Sequence, residues 1–144
     1  MENNPQIQIP RVKLGTQGLE VSKLGFGCGG LSGILNASLS HEAVCVILKE
    51  AFDKGITFFD TANVYGHEGH NEIMVGKVVK QLPREQVQLA TKFGCIFLRT
   101  SMTSSAKSKA LHDMCGNAVK KVSSVLTWTT SIYIIHTGQT QLCQ

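Results

Sequence analysis

The sequence predicts an α/β fold in which a β-hairpin leads into the opening part of a (β/α)₈ barrel. Apolar, β-type runs alternate with amphipathic helical ones, and the run ends recur at a fixed step: 33 residues from Gly27 to Asp60, then 32 from Asp60 to Lys92. Strand and helix alternating at one step imply right-handed crossovers and a parallel sheet. A barrel of about 250 residues spends about 31 on each unit, which matches the step. The third observation is length. At 144 residues the chain is too short for eight such units, so a truncated barrel is expected.

The elements follow in order. Residues 1–10 begin Met-Glu-Asn-Asn-Pro-Gln and are expected to be disordered. Arg11–Lys23 reads as a hairpin, Val12-Lys13-Leu14 and Leu19-Glu20-Val21 being separated by Gly15-Thr16-Gln17-Gly18. Leu24–Gly27 reads as a buried strand. Ser40 is placed as an N-cap with Glu42 in the first turn, and Val44, Ile47, Leu48, Ala51 and Phe52 share one helical face before Gly55 ends the helix. Ile56–Phe59 is a β-branched and aromatic strand that ends at Asp60. A second helix starts near Asn71-Glu72, carries Met74, Val75, Val78, Val79 and Leu82 on one face, and stops at Pro83. Val87–Thr91 is the next strand, ending at Lys92. Beyond Cys95 the rhythm is lost, with a helix suggested at Asn117–Leu126 and a last apolar run at Ser131–Ile135.

Composition narrows the function classes. The chain has 42% hydrophobic residues, enough for one core, and no apolar run nears the roughly 18 residues of a membrane span. A secretory leader would be basic and then apolar, so a cytoplasmic address is expected. Cys28, Cys45, Cys95, Cys115 and Cys143 are odd in number and irregularly spaced, which suggests reduced thiols. The net charge of +4 lies wholly in residues 96–144, with 5 Lys/Arg against 1 Asp, while residues 1–95 hold 9 of each sign. These basic residues are scattered, so neither nucleic acid nor membrane is expected as a partner. Ser plus Thr rises from 8 in residues 1–95 to 14 in the remainder, which marks residues 11–95 as the barrel part and 96–144 as a divergent, poorly ordered tail.

Three groups of residues could do chemistry. Gly25-Phe26-Gly27-Cys28-Gly29-Gly30 matches the Gly-x-Gly-x-x-Gly pattern of dinucleotide folds, but six further residues intervene before any helix signal, and the next strand-end acid, Asp60, lies 30 positions past Gly30. A loop that lets backbone approach a ligand or a neighbouring strand explains the glycines equally well. Asp60 and Lys92 each end a parallel strand, where barrel enzymes place catalytic groups, and Tyr65 lies in the loop above. A phenol ionises near pH 10, a nearby ammonium favours its anion, and a carboxylate holds that ammonium, so the three suit a tuned proton donor. A structural ion pair beneath a loop tyrosine is the even alternative. His67 and His70 flank Glu68 in a loop, the pattern of a solvated pair, and no metal is expected.

Residues 11–94 resemble the amino-terminal third of an aldo-keto reductase, in the plant perakine-reductase-like and auxin-induced-protein-like group. The hairpin, Leu24-Gly25-Phe26-Gly27, Asp60-Thr61-Ala62 with Tyr65-Gly66, Asn71-Glu72 with Gly76-Lys77, and Thr91-Lys92-Phe93-Gly94 fall in the family's order and spacing. The resemblance implies a barrel, and NADPH-dependent reduction of a small-molecule aldehyde or ketone to an alcohol. It implies Tyr65 as general acid, Asp60 and Lys92 as the groups that tune it, and Gly27, Cys28 and Gly29 near the nicotinamide. A histidine ending the fourth strand would orient the carbonyl. Ile132-Tyr133-Ile134-Ile135-His136 resembles that strand's end, although 44 residues separate Lys92 from His136, and an incidental histidine in the tail is the competing reading.

The tail itself is expected to be family coding sequence read out of frame. Synonymous codons for Ala118 through Ser131, read from the third base, give Cys-Glu-Glu-Ser-Leu-Lys-Arg-Leu-Asp-Val-Asp-Tyr-Ile, which resembles the family's third helix and fourth strand. The register change would fall between Gly94 and Ala118. With the family's second half absent, the competing function is a non-catalytic truncated product, inert or associating with a full-length relative. A small Rossmann-type nucleotide binder ranks third.

Overall fold

A computed structural model describes residues 9–33, 37–93 and 132–136. The suggested helix at Asn117–Leu126, the segment expected to be out of frame, and Cys95, Cys115 and Cys143 lie outside the described residues.

Strands β1 (Arg11–Leu14) and β2 (Leu19–Ser22) form the hairpin, in antiparallel register with Arg11 opposite Ser22 and Leu14 opposite Leu19. Gly15 and Gly18 both take positive φ in the turn, the conformation glycine adopts without strain. Four further strands, β3 (Gly25–Gly27), β4 (Phe58–Asp60), β5 (Gln88–Phe93) and β6 (Ile132–His136), lie side by side in chain order, and each pairs parallel with the next. This is the sheet of successive βα units that the fixed step implied. The last strand lies beyond residue 95, on the apolar run of the tail.

Helix α1 (His41–Asp53) begins where expected, the Ser40 hydroxyl accepting a hydrogen bond from the Ala43 amide at 3.2 Å. It crosses from β3 to β4. Helix α2 (His70–Val79) crosses from β4 to β5. Val44, Leu48 and Ala51 of α1 and Met74, Val75, Val78 and Val79 of α2 are buried in one cluster with Phe59 and Leu89 of the sheet; Ile47, Phe52 and Leu82 pack at its margin. Phe59 and Leu89 are register partners, so side-chain alternation sends both towards the helices and leaves Asp60 and its partner Ala90 on the other face. The face that would line a barrel interior therefore carries the charge. Among the described residues, no helix is long and apolar enough to cross a membrane.

Three sequence expectations need correction. Leu24 is 59% exposed and β3 starts only at Gly25, because β3 has a partner on one side alone among the described residues. Strand β4 begins at Phe58 instead of Ile56. The preceding residues are spent leaving α1, the amides of Gly55 and Ile56 bonding back to Phe52 and Ala51 at 2.8 and 3.0 Å. In addition, Gly30 opens no long helix: Cys28–Leu31 is a single 3₁₀ turn, which removes the Rossmann reading of the glycine run.

The hairpin is tied to the amino-terminal end of the sheet. Ser22 Oγ donates to the Leu24 carbonyl at 2.6 Å and accepts from the Thr57 and Phe58 amides at 3.0 and 3.3 Å. Arg11 reaches Thr57 Oγ1 at 3.1 Å, and Thr57 Oγ1 donates to Gln88 Oε1 at 2.8 Å, so β1, the residue before β4, and β5 share one polar chain. Ser22 is 2% exposed, and Ser22→Ala would strip a buried acceptor from two amides. The expected loss is about 1–3 kcal/mol, seen as a lower urea midpoint at unchanged slope. Val46→Ala on α1, at a position 65% exposed, should stay within about 0.5 kcal/mol.

Candidate active site

The carboxyl end of the sheet gathers the charged residues. Asp60 is the last residue of β4, and its register partner on β5 is Ala90, so Lys92 lies two residues farther along the same face and reaches back across the sheet. Lys92 Nζ forms an ion pair with Asp60 Oδ1. It also donates to the Thr61 carbonyl at 3.0 Å and to Tyr65 Oη at 3.3 Å. An ammonium has three donors and no acceptor, and here every donor has a partner. Partial burial works against the charge, but the hydrogen bonds to Asp60 and Tyr65 and the charge of Asp60 outweigh it, and the Lys92 pKa is raised above its ordinary value.

The loop after β4 carries Tyr65 over this ion pair. The Thr61 and Asn63 amides continue the β-ladder onto the carbonyls of Ala90 and Lys92, at 2.8 and 3.0 Å, and the Tyr65 amide closes a turn on the Ala62 carbonyl at 3.1 Å. Gly66 then reverses the chain with φ 74°, and a Cβ there would meet Ser32 and His70 at 3.2 Å. The backbone conformation therefore favours glycine, and a side chain there would fit only if Ser32 or His70 gave way slightly.

Alternation sends the neighbours of Asp60 and Lys92 the opposite way, into the first turn of α2. Thr61 Oγ1 donates to Asn71 Oδ1 at 2.5 Å, and Thr91 Oγ1 donates to Glu72 Oε1 at 2.7 Å. All four side chains are buried. Two strand ends are thus pinned to one helix end while their charged neighbours pair on the other face. From the sequence, Asn71-Glu72 marks the start of a helix and part of a family resemblance, but not a buried polar link to the strand ends. The available signal was a polar pair opening an otherwise apolar helix, with a threonine at the end of the strand before it and another in the strand after it to satisfy the pair.

The glycine run lies beside this cluster. Gly27 is the register partner of Asp60, is exposed, and has open space where a Cβ would stand. Gly29 has no such room: a Cβ there would lie 3.3 Å from the Tyr65 ring, so this residue forms a wall against the tyrosine. Cys28 points into the core. Burial, and then the charge of Asp60, push its thiol up to about 12. His136 ends β6 opposite Phe93, while Ile135 is the register partner of Lys92; the backbone therefore puts His136 at the same end of the sheet as Asp60, Tyr65 and Lys92. His67, Glu68 and His70 are exposed, and no group of three potential metal ligands occurs among the described residues. Cys28, fully buried and protonated, should resist iodoacetamide in the native chain near neutral pH, whereas Cys45, half-buried on α1, should be alkylated at least tenfold faster. Peptide mapping reads both rates, and equal rates would contradict the burial of Cys28.

Comparison with known proteins identifies the family. A sequence model of the Aldo/keto reductase family matches residues 23–137, a span that takes in both the ion pair and β6. The chain is 63% identical over 89 residues to a Glycine max protein described as "Probable aldo-keto reductase 1", a match covering 62% of this chain and 25% of that protein. Among solved structures it is similar to an aldo-keto reductase of Bacillus halodurans in its holo form, at TM-score 0.65 and 30% identity, covering 88% of this chain and 40% of that one. A thermostable aldo-keto reductase solved with the inhibitor epalrestat gives TM-score 0.68 and 29% identity, over 88% of this chain and 42% of its own. The chain thus spans a quarter of the length of the curated relative and less than half of these structures. The family match runs through most of the chain and contains the charged strand ends and the tyrosine loop, and the chain belongs to the aldo/keto reductase family.

Proposed function

We propose that Asp60, Lys92 and Tyr65 form the proton-delivering part of a site that reduces a small aldehyde or ketone to an alcohol with NADPH. The observation that carries this reading is the hydrogen-bond direction at Tyr65. Lys92 donates to the phenol oxygen, so that oxygen is already an acceptor and its own proton is left to be given away. Asp60 and the Thr61 carbonyl occupy the other two ammonium donors and keep Lys92 aimed at the phenol. As a substrate carbonyl is reduced, negative charge grows on its oxygen; Tyr65 supplies the proton there, and the positive charge of Lys92 steadies the phenolate left behind.

NADPH, when bound, supplies the hydride. The open space beside Gly27, in register with Asp60, suits the approach of a flat ring to the strand ends. Gly27, the backbone of Cys28 and the edge of Gly29 are the groups of this chain that would lie against it, and the buried Cys28 thiol takes no part. His136, by its place at the end of β6, is the group proposed to orient the carbonyl oxygen.

The test joins this chain to the remaining strands and helices of the Glycine max relative and follows NADPH oxidation by an aromatic aldehyde. Tyr65→Phe should lower kcat by about 10²–10⁴-fold with little change in the KM for NADPH, the size expected for loss of a positioned general acid. A Tyr65→Phe chain that keeps its rate within tenfold would overturn the assignment.

A further inference from the structure

Tyr65 is held by more than its contact with Lys92, and most of what holds it converges on one buried amide. Asn71, 0% exposed, uses its whole side chain: Oδ1 accepts from Thr61, and Nδ2 donates to the Cys28 carbonyl and to Ser32 Oγ, both at 2.8 Å. The Cys28 carbonyl can only accept, which fixes which end of the amide faces it. The Asn71 backbone amide donates to the Tyr65 carbonyl at 3.1 Å. Each of these partners bears on the tyrosine. Cys28 precedes Gly29, whose missing side chain lets the 3₁₀ turn stand against the Tyr65 ring. Ser32 follows that turn and lies 3.2 Å from where a side chain on Gly66, the residue after Tyr65, would begin. Thr61 supplies the carbonyl that receives Lys92.

We propose that Asn71 is a positioning residue for Tyr65: its backbone fixes the tyrosine's own carbonyl, and its side chain fixes the Cys28–Gly29 wall against which the ring rests. This rests on the reading of Tyr65 as proton donor only for its functional meaning; the geometry is independent of it. An aliphatic residue at 71 would fill the space but leave the Cys28 carbonyl buried without its donor, and the turn beneath the ring would be free to move away. A displacement of the phenol by about 1 Å is enough to spoil a proton transfer.

Nuclear Overhauser contacts in the intact chain test this directly. The contact between the Tyr65 ring and the Gly29 α-protons reports the wall, and the contact between Phe26 and Phe59, whose ring centroids lie 6.3 Å apart, serves as a core reference. Asn71→Asp keeps the size and the acceptor for Thr61 but offers no N–H to the Cys28 carbonyl. It should weaken the Tyr65–Gly29 contact at least threefold while leaving the core reference unchanged. Ser32→Ala, which spares the bond to Cys28, should keep both. If Asn71→Asp does not fold, Asn71→Leu, which also removes the N–H from the Cys28 carbonyl and adds no buried charge, is read in the same way and should also weaken the ring contact selectively. A full Tyr65–Gly29 contact in the variant that folds, or a loss matched in the core reference, would overturn the proposal. Tyr65→Phe in the same measurement should retain the wall contact, so failure of the proton-donor reading leaves this result untouched.

Discussion

An ammonium group can only donate, so placing one at the end of a half-buried strand obliges the fold to bring acceptors to it. Lys92 is that group. Asp60 meets it because β4 and β5 pair in the register that sets Asp60 opposite Ala90, one pleat short of the lysine on the same face. A slip of one residue would turn Lys92 towards the helices and Asp60 away from it. The remaining acceptors, the Thr61 carbonyl and the Tyr65 phenol, come from the segment directly after Asp60, which the same register positions.

The register is itself protected from both ends. At the amino-terminal end, Ser22, Arg11, Thr57 and Gln88 bind the hairpin to β4 and β5. At the carboxyl end, Thr61 and Thr91 fasten the strands to Asn71 and Glu72 of α2. Between them Phe59 and Leu89 are buried against α1 and α2. The alternation of side chains does the rest, since one strand end can give a threonine to the helix and a charged residue to the opposite face within two consecutive positions. The charged cluster and the apolar packing are thereby kept on separate faces of the same backbone.

Much of this was legible in the sequence where local rules decide. The Ser40 cap, the apolar stripe of α1 and the glycine turn of the hairpin are short-range signals, and each element stands where they put it. The strand-end step placed Asp60 and Lys92 in adjacent strands, which is why an ion pair could be anticipated. What was not legible depends on contacts distant in the chain. That Asn71 meets Cys28 and Ser32, about 40 positions earlier, follows from the packing of α2 against the turn after β3, and no local pattern encodes it. The exposure of Leu24 and the late start of β4 were likewise set by sheet position and by the exit from α1.

Lys92 remains charged because Asp60 and Tyr65 offset its burial, and the ionisation of its Nζ tests this most directly. Because folding raises this pKa, the ion-paired ammonium adds its full stabilisation below the ordinary value of 10.5 and loses it as the pH rises through the folded value. Titration of the Lys92 Nζ by nitrogen-15 NMR in the intact chain should give a midpoint above that ordinary value, and Asp60→Asn should move it down, since burial then acts with less opposition. A midpoint at or below the ordinary lysine value in the unaltered chain, or one that Asp60→Asn leaves in place, would show that Asp60 does not hold the ammonium charged.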